Sequence, residues 1–242
     1  GSERLAAGQR FEFFPAVSAG WVASSEKFWE PISKYINHFK IRGSYGLVGS
    51  DAFASGAPHF LYQNNIGIGS AHKFWTGLPT SEISKQGPGF YVLAVQDAGW
   101  EHVKKFDIGF DMMLFNQLNI TFDYFHDKRE RILMSRASWP SMLGYWGSKP
   151  WSNIGEVENQ GFELSLNWTK QFGKDLTLDL RGNFTYNQNE YKYVDEPSYP
   201  YVWQTNTGKP LNTVKGYIAE GLFASEEEIA NSPDQSQLGA NI

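Results

Sequence analysis

The chain has 242 residues, no cysteine, a net charge of −5 and 39 aromatic side chains, namely 9 Trp, 12 Tyr and 18 Phe. The absence of cysteine excludes disulfide frameworks, thiolate zinc sites and cysteine nucleophiles. The mildly acidic balance, without basic runs, argues against a surface that binds nucleic acid. No stretch approaches the roughly 20 consecutive apolar residues of a membrane-spanning helix, so the aromatic excess needs another explanation.

Apolar and polar residues alternate with a period of two along much of the chain, a pattern that predicts β-strands. The alternation is cleanest at 118–124 (LNITFDY), 162–169 (FELSLNWT) and 176–181 (LTLDLR). We predict six strands, at 9–22, 38–50, 101–115, 117–127, 155–170 and 175–190. Runs of about 10–15 residues exceed the length of ordinary globular strands and suffice for a tilted strand to cross a membrane.

The connections between these strands alternate between short and long. Asn116-Gln117 and 171–175 are short, whereas 51–100, 128–153 and 190–213 are long and rich in Gly, Ser, Pro and Trp. An intermediate connection at 24–37 is expected to hold a helical turn. Short turns at one end of a sheet and long loops at the other are typical of outer-membrane barrels.

Each predicted strand has one apolar and one polar face, which favours an all-β, antiparallel, up-and-down transmembrane barrel segment of about six strands that is itself incomplete. Its apolar side chains are expected to face lipid, and their neighbours the lumen. The residues expected to face lipid are Leu118, Ile120, Phe122, Tyr124, Phe162, Leu164, Leu166, Trp168, Leu176, Leu178 and Leu180. The alternative is a soluble β-sandwich that binds carbohydrate, because a half-exposed sheet shows the same alternation.

Several stretches resemble, in order, the signature sequences of SusC/RagA-type TonB-dependent transporters. The most specific is NIGEVENQGFEL at 153–164. The others are FFPAVSAGW at 13–21, FKIRGSYGLVG at 39–49, FDIGFD at 106–111, LNITFDYF at 118–125, GNFTYN at 182–187 and GYIAEGLF at 216–223. Together the matches span about residues 11–229.

The resemblance implies a barrel of about 22 strands with an N-terminal plug. It implies import of oligosaccharides or peptides across the outer membrane of a Gram-negative bacterium, energised by TonB and aided by a SusD-like surface lipoprotein that forms a lid. Residues 1–242 would then be part of the C-terminal half of the barrel, with the plug domain absent from them and TonB contacted through that absent region. Residues 190–242 are expected to be mostly extracellular loop, with a short helix near 225–230 where Ser225 and Glu228 form a capping-box pattern.

No arrangement of residues predicts catalysis, a cofactor or a metal site, so we expect no enzyme. The five histidines are scattered, without the spacing that places two metal ligands together. They are His38, His59, His72, His102 and His126. Acidic pairs such as Asp107 and Asp111 recur at even spacing on alternating strands, where they line one polar face rather than flank a substrate.

Aromatic residues crowd the long loops, and these are the candidate substrate-binding residues. Sugar rings and peptide side chains both stack on aromatic faces. The candidates are Trp75, Trp139, Tyr145, Trp146 and Trp151. The alternative is that these side chains pack against one another or against the lid.

Overall fold

The computed structural model describes residues 1–53, 56–77, 83–140, 142, 149–216, 218–219 and 221–232. The chain divides into two units, residues 1–211 and 212–242. The described part of the first unit contains eight strands. They are β1 (Ala16–Val22), β2 (Ile36–Ser50), β3 (Asn65–Thr76), β4 (Ile83–Val92), β5 (Glu101–Leu114), β6 (Leu118–Ser135), β7 (Trp151–Phe172) and β8 (Leu176–Tyr193).

Six of the strands form one antiparallel sheet in the order β1-β2-β5-β6-β7-β8, and β3 and β4 form a separate two-stranded sheet. Neighbours in the large sheet are therefore neighbours in the chain, except that the β3–β4 hairpin is inserted between β2 and β5. This is the predicted up-and-down arrangement, an open sheet that has not closed into a barrel. The sandwich alternative is wrong, because the six strands lie in a single sheet.

The strands differ in length from the prediction at identifiable points. β1 begins at Ala16 rather than at residue 9, because Pro15 has no N–H to donate, although its carbonyl oxygen still accepts from the Leu47 N–H at 2.8 Å. β6 and β7 continue well into the region expected to be a loop. At the end of β6 a polar run (126–131) is followed by an apolar run (132–134), so the period of two disappears from the sequence.

One end of the sheet, which we call the short-turn end, carries the connections 23–35, 115–117 and 173–175. Phe115 and Asn116 have φ of 54° and 55°, and the Gln117 N–H donates to the Leu114 carbonyl at 2.9 Å. Two successive left-handed residues give the tight turn that matches the twist of paired strands. The connection at 23–35 contains two short 3-10 helices, Ala23–Ser25 and Lys27–Ile32, where a helical turn was expected.

The opposite end, which we call the long-loop end, contains most of the buried side chains. Leu5, Leu61 and Leu133 have no exposed surface. They come from three segments that are far apart in the sequence: the residues before β1, the stretch before β3, and the last residues of β6. The Val95 N–H donates to the Leu61 carbonyl at 2.8 Å, and the Trp100 indole N–H donates to the Gln9 carbonyl at 3.1 Å.

The described part of the second unit contains a short helix, α1 (Glu226–Ala230). The Ser225 hydroxyl accepts from the Glu228 N–H at 3.2 Å, and the Glu228 carboxylate accepts from the Ala224 N–H at 2.6 Å. The first bond is the one that the capping-box pattern predicts, whereas the second reaches the residue before the N-cap rather than the N-cap itself. Within the described part of the chain, no helix has the length and apolar character needed to cross a membrane.

Candidate functional site

The register of the sheet places every residue predicted to face lipid on one face, which we call the apolar face. Phe122 pairs with Phe110 on β5 and with Leu164 on β7, and Leu164 pairs with Phe184 on β8. Aromatic rings run across the strands of this face. Their centroids are separated by 5.9 Å for Phe39–Phe110, 5.5 Å for Phe110–Phe122, 6.1 Å for Phe122–Phe162 and 5.8 Å for Phe162–Phe184.

The apolar face remains open, with Leu180 54% and Phe184 55% exposed. On β7 it extends from Phe162 to Phe172, a separation of ten residues. At a rise of about 3.3 Å per residue and a tilt of about 40°, ten residues span about 25 Å along a barrel axis. This height equals that of the lipid-facing band of outer-membrane barrels. We call this part of the apolar face the apolar band.

Beyond the apolar band, toward the long-loop end, the same face becomes charged. On β6 the last aromatic residue of this face is Tyr124, and the next residue of the same face is His126, which pairs with Phe106 on β5. The Lys104 ammonium lies 2.6 Å from a Glu130 carboxylate oxygen, and the Lys192 ammonium lies 2.8 Å from a Glu158 oxygen. We call these residues the charged belt; its members are Lys104, His126, Lys128, Glu130, Glu156, Glu158, Glu190 and Lys192.

The opposite face of the sheet is polar where the first is apolar. Its centre is Arg42, whose guanidinium lies 2.7 Å from Asp123, 3.3 Å from Asp111 and 3.7 Å from Asp107. Three carboxylates from two strands thus surround one cation on β2. Among the described residues no second layer packs on either face of these strands, and the polar face has the chemistry of a wet barrel lumen.

The geometry explains the most specific sequence motif, residues 153–164. The Asn153 amide donates to the carbonyls of Gly99 at 3.1 Å and Arg131 at 2.8 Å, and its oxygen accepts from the Gly99 N–H at 3.0 Å. Arg131 has a φ of 57° at a bulge between β6 and β7. A β-carbon on Gly161 would lie 2.1 Å from the Tyr186 carbonyl oxygen. Asn153 therefore secures the bulge, and residue 161 has no room for a side chain.

Two of the predicted substrate-binding residues, Tyr145 and Trp146, lie outside the described residues. Trp75 lies one residue pair from the tip of the β3–β4 hairpin and is 64% exposed. Trp139 is half-buried in the turn after Arg136. Its backbone N–H donates to the Arg136 carbonyl at 3.3 Å. Trp151 begins β7 and pairs with Ser135. Trp75 therefore lies near a hairpin tip, whereas Trp151 lies at the start of a strand.

Trp151 does line a cavity of about 170 Å³ at the long-loop end, which we call the Trp151 cavity. Tyr91 reaches it from the base of the β3–β4 hairpin, and Lys149 from the loop between β6 and β7. Its lining residues are Gly56, Pro58, Tyr91, Val92, Leu93, Ser135, Lys149 and Trp151. Sequence reasoning identified the contribution of Trp151 but not those of Tyr91 and Lys149, because they meet only when the hairpin folds back on the sheet.

A buried carboxylate anchors the neighbouring loop. Asp195 is 6% exposed and accepts hydrogen bonds from the Ser138 N–H at 3.0 Å and from the Ser138 hydroxyl at 2.9 Å. The Arg136 guanidinium lies 3.3 Å from the same carboxylate. Burial alone raises the pKa of Asp195, but the bonds from Ser138 and the charge of Arg136 outweigh it and lower that pKa below its ordinary value. No sequence signal joins these residues, since Ser138 and Asp195 are 57 positions apart.

The loop after β8 presents a second aromatic feature. The Tyr201 and Trp203 rings lie nearly parallel, at 15° and 6.1 Å between centroids, and are 60% and 59% exposed. The Glu196 carboxylate accepts from the N–H groups of Asn206 at 2.9 Å and Thr207 at 3.2 Å, which fixes the turn beneath them. These rings belong to the third aromatic loop of the sequence and were not among the five predicted contacts.

The histidines do not form a metal centre with other ligands: in the described part of the chain no group of three potential ligands comes together. His102 lies 2.9 Å from the Glu12 carboxylate, and His126 pairs with Glu158. The acidic residues Asp107 and Asp111 both contact Arg42. These side chains are thus used in polar contacts that hold the sheet and the segment before β1 together.

Long antiparallel strands with an apolar band on one face and a polar lumen-like face on the other define the wall of an outer-membrane β-barrel. The sequence matches the family described as TonB dependent receptor-like, beta-barrel, over residues 3–227. The chain belongs to this family, as the resemblance in its motifs predicted.

Curated relatives and solved structures agree with this assignment. TonB-dependent receptor P39 of Formosa agariphila is 28% identical, over 100% of this chain and 22% of its own length. TonB-dependent receptor SusC of Bacteroides thetaiotaomicron is 26% identical, over 78% of this chain and 18% of its own length. The chain spans about a fifth of the length of these relatives.

The RagAB peptide importer in its open-open state shares the fold, with a TM-score of 0.62 and 20% identity over 79% of this chain and 19% of the other. A second structure of the RagAB peptide transporter gives a TM-score of 0.60 at 21% identity, over 78% of this chain and 19% of the other.

Proposed function

We propose that the full-length protein is a TonB-dependent outer-membrane importer of oligosaccharides or peptides, and that this chain forms part of its barrel wall. The observation that carries the proposal is the apolar band. It is about 25 Å tall, it ends in aromatic residues and a charged belt, and the face behind it is polar. A sheet with these two faces separates lipid from water, as a transporter wall must.

The proposed location is the outer membrane of a Gram-negative bacterium, with the long-loop end outside the cell. Outer-membrane barrels have short periplasmic turns and long extracellular loops, which supports this orientation. Most of 190–242, including α1, would then be extracellular. Part of the chain would contact membrane lipid, through the apolar band.

The proposed partners are a SusD-like surface lipoprotein acting as a lid and TonB, the latter engaged through a region outside this chain. The similarity to the RagAB peptide importer supports a nutrient-import role for the whole protein. We propose no catalytic activity, no cofactor and no nucleic-acid partner, because the polar residues described above are used in ion pairs and in anchoring loops.

Uptake measured in cells that carry the full-length protein tests the proposal. Labelled oligosaccharide and peptide pools should accumulate in the periplasm, and a protonophore or deletion of TonB should abolish that accumulation. A lipoprotein should co-purify with the transporter from the outer membrane. Uptake that continues without TonB and without a proton gradient would contradict the energised mechanism.

The five loop aromatics remain proposed substrate contacts: Trp75, Trp139, Tyr145, Trp146 and Trp151. We would first change Trp146 and Trp151 together to alanine in the intact transporter. If they contact substrate, ligand affinity and uptake should both fall. Unchanged affinity and unchanged uptake would show that these side chains serve only to pack the loops or to meet the lid.

A further inference from the structure

The Trp151 cavity combines aromatic surface with one cation, and this combination indicates a ligand class within the proposed function. Trp151 and Tyr91 supply two ring systems, and Pro58 adds a third apolar surface. A volume of about 170 Å³ corresponds to five or six waters at about 30 Å³ each. The cavity therefore has room for about one ring of a larger ligand.

Lys149 is the charged residue of the cavity lining. Its ammonium donates to the Ala137 carbonyl at 2.9 Å, which uses one of its three N–H groups. Among the described residues it has no carboxylate partner, whereas Lys104, Lys128 and Lys192 of the charged belt each contact at least one glutamate. Lys149 thus retains donors and a positive charge for a ligand.

The loop that carries Lys149 has no acidic residue of its own, although the chain as a whole is acidic. Residues 136–151 contain Arg136 and Lys149 but no Asp or Glu. Arg136 is neutralised by Asp195, so the positive charge of Lys149 is left over. The backbone N–H of Arg136 donates to the Pro150 carbonyl at 2.8 Å. This bond joins the two ends of the loop and holds Lys149 beside Trp151.

The cavity lining comes from four separate segments, each of at most three residues. Ser135 pairs with Trp151 across β6 and β7, and Val92 pairs with Asn65 across the hairpin. A peptide recognised by strand addition pairs along one continuous strand edge, which a lining of this kind does not offer. Recognition here must therefore come from side chains, through stacking on the rings and attraction to the ammonium.

We propose that the Trp151 cavity binds one anionic sugar ring of an oligosaccharide, carrying a carboxylate or a sulfate ester. The apolar face of the ring packs against Trp151 and Tyr91, its anionic group contacts Lys149, and the Ser135 hydroxyl bonds a ring hydroxyl. This assignment rests on the proposed import function and narrows the substrate from oligosaccharides or peptides to acidic oligosaccharides.

The test is binding of matched probes to the purified full-length transporter, measured by calorimetry. The probes are an oligouronate, a sulfated oligosaccharide and a neutral oligosaccharide of equal length, with an acidic peptide as the fourth. The oligouronate or the sulfated probe should bind at least about tenfold more tightly than the neutral one. Lys149→Met should remove that preference, and Lys149→Arg should keep it.

Lys174→Met, in the turn at the short-turn end, is the matched control and should alter nothing. Trp151→Ala should weaken all three saccharides. Equal binding of anionic and neutral saccharides to the unaltered protein, or an unchanged preference after Lys149→Met, would overturn the proposal. Tighter binding of the acidic peptide than of either anionic saccharide would also overturn it, because the ligand class would be wrong.

The two proposals fail in different ways. Energised uptake of substrates without any anionic preference in binding would leave the importer standing and refute the assignment of the cavity. Lysine-dependent binding of anionic sugar without uptake in cells would support the cavity assignment and refute the importer.

Discussion

The apolar band and the long-loop end use the same residue types in opposite ways. Leu180 and Phe184 in the band are more than half exposed, whereas Leu61 and Leu133 at the long-loop end have no exposed surface. The burial of apolar side chains thus depends on the proposed surroundings. They are buried within the chain where water surrounds the protein, and they remain exposed where lipid is proposed to cover them. A bare apolar face of this extent is otherwise rare on soluble proteins.

Hydrogen bonding and charge show the same difference. In the sheet, backbone groups are paired between strands, so the wall is held by its ladder and by the ion pairs of its polar face. At the long-loop end, side chains such as Asn153 and Asp195 bond to the backbone of distant segments. The wall therefore depends on pairing between strands, and the loops depend on a small water-excluding core.

The largest expected effect is on that core. Leu133→Ala should lower the free energy of local unfolding of the long-loop end by about 2–5 kcal/mol, because it removes a fully buried side chain. Hydrogen exchange of residues 1–10 and 93–100 in the full-length transporter measures this. Leu180→Ala, in the apolar band, is the control, and equal destabilisation by the two changes would break the comparison.

The next effect concerns the apolar band. Leu166→Arg should reduce the stability of the membrane-inserted barrel by about 2–4 kcal/mol, because residue 166 lies near the middle of the band on β7. Ser165→Arg points to the polar face and should cost much less. Urea titration of the protein refolded into lipid vesicles compares the two, and an equal cost would mean that the faces do not differ in their surroundings.

A smaller effect is expected at the bulge between β6 and β7. Asn153→Ala should destabilise the long-loop end by about 1–3 kcal/mol, because it leaves the Gly99 and Arg131 backbone groups without their partner. Asn183→Ala, on the exposed part of β8, should have little effect. Protection of Gly99 against hydrogen exchange is the measurement, and it should fall only in the first variant.

The smallest effect depends on pH. Because the pKa of Asp195 is lowered in the folded protein, its stabilising contribution is fully present above the ordinary carboxyl pKa of about 3.9 and is lost as pH falls through the folded value. The contribution of Asp195 to loop stability should therefore be constant between about pH 5 and 7. Below about pH 4, proteolysis near Ser138 should increase.

Asp195→Asn is the companion variant for the pH experiment. It should cost about 1 kcal/mol at neutral pH, because the ion pair with Arg136 is lost while some hydrogen bonds to Ser138 remain. It should also remove the response of the loop below pH 4. A variant that responds to acid as strongly as the unaltered protein would assign the response to another group.

The sequence predicted the wall better than the loops, and the reason is physical. A period of two is a local pattern, so Phe162, Leu164 and Leu166 reveal their shared face without knowledge of their partners. The β3–β4 hairpin was missed because 51–100 is rich in Gly and Ser and lacks that pattern. Lys149 and Asp195 act through residues of other segments, which only the folded chain brings together.

The central claim is that one face of the sheet meets lipid up to the charged belt. Spin labels placed singly along β7 test it directly, since the chain has no cysteine of its own. In bilayers, labels at 162, 164, 166 and 168 should be accessible to oxygen, whereas labels at 163, 165 and 167 should not. Labels at 156 and 158, in the charged belt, should instead be accessible to a water-soluble paramagnetic relaxation agent. Equal oxygen accessibility at odd and even positions would contradict the claim. So would a label at 158 with the same accessibility to oxygen as the labels at 162 to 168.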